Sequence, residues 1–135
     1  MWDPFEYFIA RNVDGLLKTE FPQKLGKVSY HIACHLRVQN MGQKTREMLQ
    51  LVPDTQINTV ERCSGHDGTW GVKTEFFANS MKIGKPVFKA MANNAPDYIS
   101  SDCAIAGRHI MQGMGEGTKA QKEHPITLIR IAYGL

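Results

Sequence analysis

Three short runs rich in β-branched and aromatic residues alternate with longer segments of helical periodicity, and this alternation constrains the fold more than any other feature. The runs are Lys27–Ile32, Gln56–Val60 and Pro96–Ser101. Strands that alternate with helices are typical of parallel βαβ units, whose right-handed crossovers place the helices on the faces of one sheet. We therefore predict an α/β fold, in which a small parallel sheet is flanked by helices.

Six segments carry apolar residues at the three- and four-residue spacing of amphipathic helices. Asp3 and Pro4 open the first of them as an N-cap and a first-turn proline. A break is predicted at Gly84-Lys85, and the glycine-rich stretch Gly113–Gly117 is expected to be a flexible connector. The predicted helices are Phe5–Leu17, Gly42–Leu51, Val72–Met81, Pro86–Met91, Ala104–Met111 and Pro125–Tyr133.

Composition and charge exclude several classes of protein. With 42% apolar and 21% charged residues, the chain has the composition of a globular domain rather than a disordered segment. No apolar run approaches the roughly 20 residues that span a bilayer, and the N-terminus does not resemble a secretory signal. The net charge of +3 is only mildly basic and does not by itself indicate nucleic-acid binding, and no platform of aromatic and basic residues is evident. An odd number of cysteines without an export signal favours a reducing cytoplasm.

Each of the three cysteines follows a predicted strand by two or three residues. Cys34, Cys63 and Cys103 are therefore expected at the carboxyl edge of the sheet, where ligands bind in open α/β sheets. Helix N-termini and loop N–H groups favour the thiolate, which suits metal ligation and nucleophilic chemistry. His35 adjoins the first cysteine and His66 lies three residues after the second. Thiolates together with imidazole suit zinc or an iron–sulfur centre.

The other histidines and the lysines of the middle segment are also explained by structural or surface roles. His31 is as consistent with a satisfied core residue as with a ligand. A structural or surface role is expected for His109, and a helix cap or packing role for His124. Four lysines are expected to form a solvated helix face that could dock an acidic partner: Lys73, Lys82, Lys85 and Lys89.

Four elements, in this order along the chain, resemble the motifs of the cysteine-rich CCG domain. Tyr30–Leu36 resembles the element YHxPCHL, and Cys63–Lys73 resembles CCGxxGTYGxK. Ser101–Ala106 resembles TDCxxC, and Glu123–Leu128 resembles EHPITLL. The domain occurs in heterodisulfide reductases and in the iron–sulfur subunits of glycolate oxidase and of anaerobic glycerol-3-phosphate dehydrogenase. The resemblance assigns residues 25–135 to this domain and leaves residues 1–24 as an N-terminal helix and connector.

The resemblance implies an α/β fold and a role in electron transfer through an iron–sulfur cluster. In the fuller family pattern, five cysteines of the domain hold an unusual non-cubane [4Fe–4S] cluster. Here Ser64 stands where the second cysteine of the CCG element is expected, and Ala106 where the last cysteine of CxxC is expected. The loss of two thiolates disfavours the five-cysteine cluster.

The thiolates that remain define the expected site. Cys34, Cys63 and Cys103 are the predicted metal ligands, with His66 as the fourth and His31 or His35 behind it. This set suits an ordinary [4Fe–4S] cluster or a tetrahedral zinc. Two further groups are expected at the cofactor, a hydrogen-bonding hydroxyl and a glycine that lets the backbone approach: Ser64 and Gly65.

The sequence therefore favours an iron–sulfur electron-transfer module of an oxidoreductase complex. Its expected partners are other redox subunits or a ferredoxin-type domain, in the cytoplasm or peripheral to the inner face of the membrane. The alternative is a zinc-stabilised or metal-free module that binds partner subunits. A third hypothesis is a thiol enzyme in which His66, oriented by Asp67, activates Cys63. Aromatic residues near the N-terminus are expected to form an exposed patch for association: Trp2, Phe5, Tyr7 and Phe8.

Overall fold

The computed structural model describes all residues, 1–135, and shows four parallel strands flanked by six helices. The strands are β1 (Gly26–His31), β2 (Thr55–Val60), β3 (Tyr98–Ser101) and β4 (Gln121–Lys122), in the spatial order β2–β1–β3–β4. The helices are α1 (Pro4–Val13), α2 (Cys34–Val38), α3 (Lys44–Gln50), α4 (Thr74–Ala92), α5 (Ala104–Met114) and α6 (Pro125–Ala132), with a 3₁₀ turn at Trp70–Val72. The predicted α/β fold is confirmed.

The register of the sheet aligns the carboxyl ends of its three longer strands. His31, the last residue of β1, lies opposite Val60 of β2 on one side and Ser101 of β3 on the other. Both of these partners are also the last residues of their strands. The segments that follow β1, β2 and β3 therefore leave the sheet at one edge and at one level.

Alternating side chains of the strands feed one large hydrophobic core on each face of the sheet, and a third, smaller cluster comprises Tyr30, Ile32 and Leu36. Val28 of β1 packs with α1, α3 and α6, whereas Ile99 of β3 packs with α4 and α5. The first core comprises Phe5, Leu25, Val28, Met48, Leu49, Val52, Leu128, Ile129 and Ala132. The second comprises Val60, Val87, Phe88, Met91, Ile99, Ile110 and Ala120.

The prediction of two helices between β2 and β3 is wrong, because α4 runs without a break from Thr74 to Ala92. Gly84 lies inside the helix and is buried, and a Cβ built there would stand 2.5 Å from the carbonyl oxygen of Ser64. The glycine thus marks a close approach of helix and loop rather than a helix end. Pro86 lies on the exposed side of α4, where water can bond the carbonyl that its missing N–H leaves unpaired.

Four further elements differ from expectation, and the first is α1, which ends at Val13 rather than at Leu17. α5 extends to Met114, so Gly113 is helical and packs its bare Cα against the ring of Phe88. The five-residue α2 and the two-residue β4 were not expected, because neither is long enough to show a periodic pattern. No helix of the structure is both long enough and apolar enough to cross a bilayer.

The N-terminal aromatic residues divide between core and surface. Phe5 is buried in the first core, so its expected place in an exposed patch is wrong. Phe8 is half-buried, while Trp2 and Tyr7 are exposed and pack edge to face with each other. Asp3 caps α1 as expected, accepting a hydrogen bond from the N–H of Phe5 at 2.9 Å. The boundary between residues 24 and 25 stays a prediction.

Candidate metal or cofactor site at the carboxyl edge of the sheet

Each cysteine lies just beyond one of three neighbouring strands. Cys34 and Cys63 follow the aligned strand ends by three residues and Cys103 follows by two. Adjacent strands are about 4.8 Å apart, so the three cysteine-bearing segments begin within a width of about 10 Å. Cys34 and Cys63 are exposed and Cys103 is half-buried, and all three are free thiols.

The structure brings His66 against Cys103. The Nε2 atom of His66 lies 3.7 Å from the Sγ atom of Cys103, which is the N-cap residue of α5. The other ring nitrogen, Nδ1, lies 3.0 Å from the hydroxyl of the buried Ser64. The imidazole therefore bridges the loop after β2 and the turn after β3. Because the ring faces Ser64 and Cys103, the geometry does not match the thiol enzyme in which Asp67 orients His66 toward Cys63.

The loop that carries Cys63 is fixed by a glycine and a serine. Gly65 has φ +88°, and a Cβ there would stand 2.5 Å from the carbonyl oxygen of Ser80 in α4. Its N–H points to the Sγ atom of Cys63 at 3.4 Å, and its carbonyl accepts a 2.7 Å hydrogen bond from the Ser80 hydroxyl. Only glycine combines this backbone conformation with this close approach to α4. Gly65 therefore places both the loop and its cysteine.

His109 supports the same loop through Ser80 of α4. Its Nε2 atom lies 3.0 Å from the hydroxyl of Ser80, and its ring is buried against Phe88. Because the Ser80 hydroxyl donates its hydrogen to Gly65, the Nε2–H group of His109 is the donor to Ser80. Burial lowers the pKa of His109, which favours this neutral form. The expected structural role of His109 is confirmed.

His31 is a buried structural residue with both ring nitrogens engaged. Its Nε2 atom lies 2.8 Å from the carbonyl oxygen of Arg62, and its Nδ1 atom lies 3.0 Å from the hydroxyl of Ser101. A carbonyl only accepts, so Nε2–H donates to Arg62 and Nδ1 accepts from Ser101. The Ser101 oxygen in turn accepts from the N–H of Cys103 at 3.3 Å. His31 thus ties the end of β1 to the segments that carry the other two cysteines.

Sequence reasoning missed a polar cluster beside Cys103. The carboxylate of Asp102 accepts hydrogen bonds from the hydroxyl of Tyr30 and, at 2.8 Å, from the hydroxyl of Thr45. Burial is the main cause that raises the pKa of both Asp102 and Tyr30. His124 donates from Nε2 to the Asp102 carbonyl at 3.3 Å while its Nδ1 caps α6, which confirms its expected role. Tyr30 and Asp102 stand in two of the CCG-like motifs, and that position was the only signal available.

Cys34 and His35 lie apart from this cluster. Cys34 is the first residue of α2, and its Sγ atom has the guanidinium of Arg37 at 3.8 Å. Arg37 also pairs with Glu61 at 3.7 Å. The side chain of His35 is exposed in the first turn of the same helix. These residues share the edge of the sheet with Cys63 and Cys103 but make no hydrogen bond to their side chains.

The donor types at this edge suit a thiolate-bound centre, but the side chains converge only in part. Nowhere does the structure gather three or more histidine, cysteine, aspartate or glutamate side chains closely enough to hold a metal ion. Cys103 and His66 are in contact, and a centre with three thiolates needs Cys34 and Cys63 to turn toward them. Burial lowers the pKa of His66, and the neighbouring His109 lowers it further. The imidazole is therefore neutral, which is the form that binds a metal.

Comparison with known proteins gives a matching family and similar subunits of a dehydrogenase. The cysteine-rich domain family CCG matches residues 28–110. The C subunit of anaerobic glycerol-3-phosphate dehydrogenase from Escherichia coli strain K12 is 32% identical over 104 residues, which are 76% of this chain and 25% of the relative. Its counterpart in Escherichia coli O157:H7 matches equally, so the chain spans about a quarter of the length of these relatives. No solved structure matches.

Proposed function

We propose, from the premise that this chain belongs to the cysteine-rich CCG domain family, that it is an iron–sulfur redox module of an oxidoreductase. Cys34, Cys63 and Cys103 are the thiolate ligands and His66 is the fourth ligand. The observation that carries the proposal is the alignment of the three cysteines just past three neighbouring parallel strands. When bound, a [4Fe–4S] cluster supplies one-electron transfer.

Backbone groups and a hydroxyl around the site suit bound sulfur and imidazole ligands. The N–H of Gly65 points at the sulfur of Cys63 and donates to it when that sulfur ligates a metal. Cys103 is the N-cap residue of the eleven-residue α5, so the helix begins at the site. The Ser64 hydroxyl holds Nδ1 of His66 and leaves Nε2 free to face Cys103. His35 is the reserve ligand beside Cys34.

The module acts with partners under this proposal. Two relatives of the chain are subunits of a dehydrogenase, and the chain spans about a quarter of their length. We therefore assign its electron donors and acceptors to other redox subunits or to a ferredoxin-type domain. We place their complex in the cytoplasm, in peripheral contact with the inner face of the membrane, and we propose no role for nucleic acid.

Single replacements after anaerobic reconstitution with iron and sulfide test the ligand set. Cys34→Ala, Cys63→Ala and Cys103→Ala should each abolish or strongly reduce the visible absorbance of the cluster. Thr69→Ala is the control, because Thr69 is exposed in the same loop and makes no side-chain hydrogen bond. An unchanged spectrum for Cys63→Ala would refute the proposed ligand set.

His66 has its own test. His66→Cys should keep the absorbance and change its electron paramagnetic resonance signal, because a thiolate replaces an imidazole at the iron. His66→Ala should lower iron retention. A His66→Ala variant that keeps both the iron content and the resonance signal would remove His66 from the ligand set.

A zinc-stabilised or metal-free module that binds partner subunits is the second candidate. It is favoured by the absence of any assembled group of three ligands and by Ala106, 1% exposed, where the family motif has a cysteine. Under this candidate the protein is colourless after anaerobic purification. Replacing the cysteines then changes unfolding free energy or partner binding and leaves no redox signal to lose.

A further inference from the structure

The net charge of the chain is concentrated in one segment. Lys73–Ala92 contains four lysines and one glutamate, which give it a net charge of +3, equal to that of the whole protein. The remaining residues carry twelve basic and twelve acidic side chains and are neutral as a set. Between Glu75 and Asp97 there is no acidic residue at all. This segment therefore carries the net positive charge of the protein.

Three of these lysines lie on one exposed face of α4. Lys82, Lys85 and Lys89 are spaced by three and four residues, which places them on one side of a helix. None of them takes part in an ion pair, since the pairs of the structure are Arg11–Asp14, Arg37–Glu61 and Lys44–Glu47. Like charges at this spacing repel, so the arrangement lowers the stability of the isolated helix. Folding gives a reason only for Lys89, which lies in the last turn of α4, where the helix dipole favours a cation.

The lysine face stands on the opposite side of α4 from the Cys63 loop. Ser80 and Gly84, on the buried side of the helix, touch the carbonyls of Gly65 and Ser64. A helix with its side chains is about 10–12 Å across, so a partner seated on the lysines lies one helix thickness from the loop. Ile83, 52% exposed, is on the flank of α4 that faces the loop, and its Cβ lies 3.3 Å from a Cβ built at Gly65. The stretch between Lys82 and Lys89 has no exposed aromatic residue of the kind that inserts into a lipid surface.

We propose that the face formed by Lys82, Lys85 and Lys89 docks the carboxylate-rich surface of an electron-carrier protein. The inference rests on the proposed redox function, because it names the partner of that site. Electron-transfer complexes bury little area and rely on charge complementarity for fast encounter. The lysine face offers unpaired positive charge for such an encounter, and it lies one helix thickness from the cysteine loop.

Binding of a labelled plant-type [2Fe–2S] ferredoxin, a carboxylate-rich electron carrier, tests the proposal. The unaltered chain should bind it at low ionic strength and lose most of this affinity at about 0.15 M salt, where the Debye length is about 8 Å. The triple variant Lys82→Glu, Lys85→Glu, Lys89→Glu should bind about tenfold or more weakly. The matched control replaces three exposed lysines elsewhere with the same change of net charge: Lys18→Glu, Lys24→Glu and Lys119→Glu.

The outcomes separate docking from the redox function. Loss of binding in the first variant and retention in the control support the face. Equal loss in both variants, no binding by the unaltered chain, or tighter binding to anionic lipid vesicles or to DNA would overturn it. Iron and sulfide content is measured on the same samples. If the chain carries a cluster but does not bind ferredoxin, only the docking proposal is refuted. If the chain carries no cluster but binds ferredoxin through these lysines, only the proposed function is refuted. The milder replacement of the three lysines by glutamine gives the same comparison if the glutamate variant unfolds.

Discussion

Replacing two helical glycines by alanine separates helix propensity from packing at the cysteine loop. Gly84 in α4 and Gly107 in α5 are both buried inside helices. Alanine favours a helix over glycine by about 1 kcal/mol at an interior position. This gain is common to both sites. The difference between the two variants therefore reports what the new methyl group meets.

The surroundings of the two sites differ sharply. A Cβ at Gly107 would meet Lys122 and Ser101 at 3.8 to 3.9 Å, which is ordinary van der Waals contact. A Cβ at Gly84 would stand 2.5 Å from the Ser64 carbonyl oxygen and 2.7 Å from a ring carbon of Phe88. Overpacking of this kind typically reduces stability by about 1–3 kcal/mol. Gly107→Ala should therefore raise the free energy of unfolding by up to about 1 kcal/mol. The free energy of unfolding of Gly84→Ala should lie about 1–3 kcal/mol below that of Gly107→Ala.

Urea unfolding followed by circular dichroism measures the difference, with the denaturant slope as a check that both variants unfold in one transition. The corresponding separation of melting temperatures is at least about 3 °C for a chain of this length. A Gly84→Ala variant as stable as Gly107→Ala would refute the close approach of α4 to the Ser64 carbonyl. It would also remove the reason for a glycine inside this helix.

Two further predictions follow from the buried polar groups. Ser80→Ala leaves the Gly65 carbonyl and the Nε2–H of His109 unpaired and should lower the free energy of unfolding by about 1–3 kcal/mol; a neutral result in urea would contradict the assigned bonds. Burial lowers the pKa of His31 and of His109, so the unfolded chain takes up protons first as pH falls below about 6.5. Stability should therefore fall from about pH 7.5 to about pH 5.5, by up to about 1.4 kcal/mol per pH unit for each proton. Asp102, whose pKa burial raises, contributes with the opposite sign at lower pH, and urea midpoints that do not fall over this range would contradict the prediction.

The strands and the placement of the cysteines were predictable because both signals are local. Each strand is a short β-branched run, and each cysteine lies within three residues of a strand end. Parallel strands that alternate with helices then bring those ends to one edge. The predicted edge is confirmed, while its metal ligands remain a proposal.

What the sequence did not show depends on contacts between distant residues. Gly84 is locally typical of a helix break, and only the Ser64 carbonyl packed against it explains a glycine inside one long helix. The partners His66 and Cys103 are 37 residues apart, and those of Asp102 come from β1 and α3. β4 has two exposed polar residues and exists because β3 offers it a backbone partner. None of these pairings leaves a periodic trace in the chain.

The most direct test of the central claim is the iron, zinc and acid-labile sulfide content of the protein purified without oxygen. The proposed [4Fe–4S] module predicts a brown protein with iron and sulfide in equal amounts, about four of each per chain. Zinc alone, or a colourless protein without metal, would contradict the redox assignment and leave the carboxyl edge of the sheet as a structural or partner-binding site.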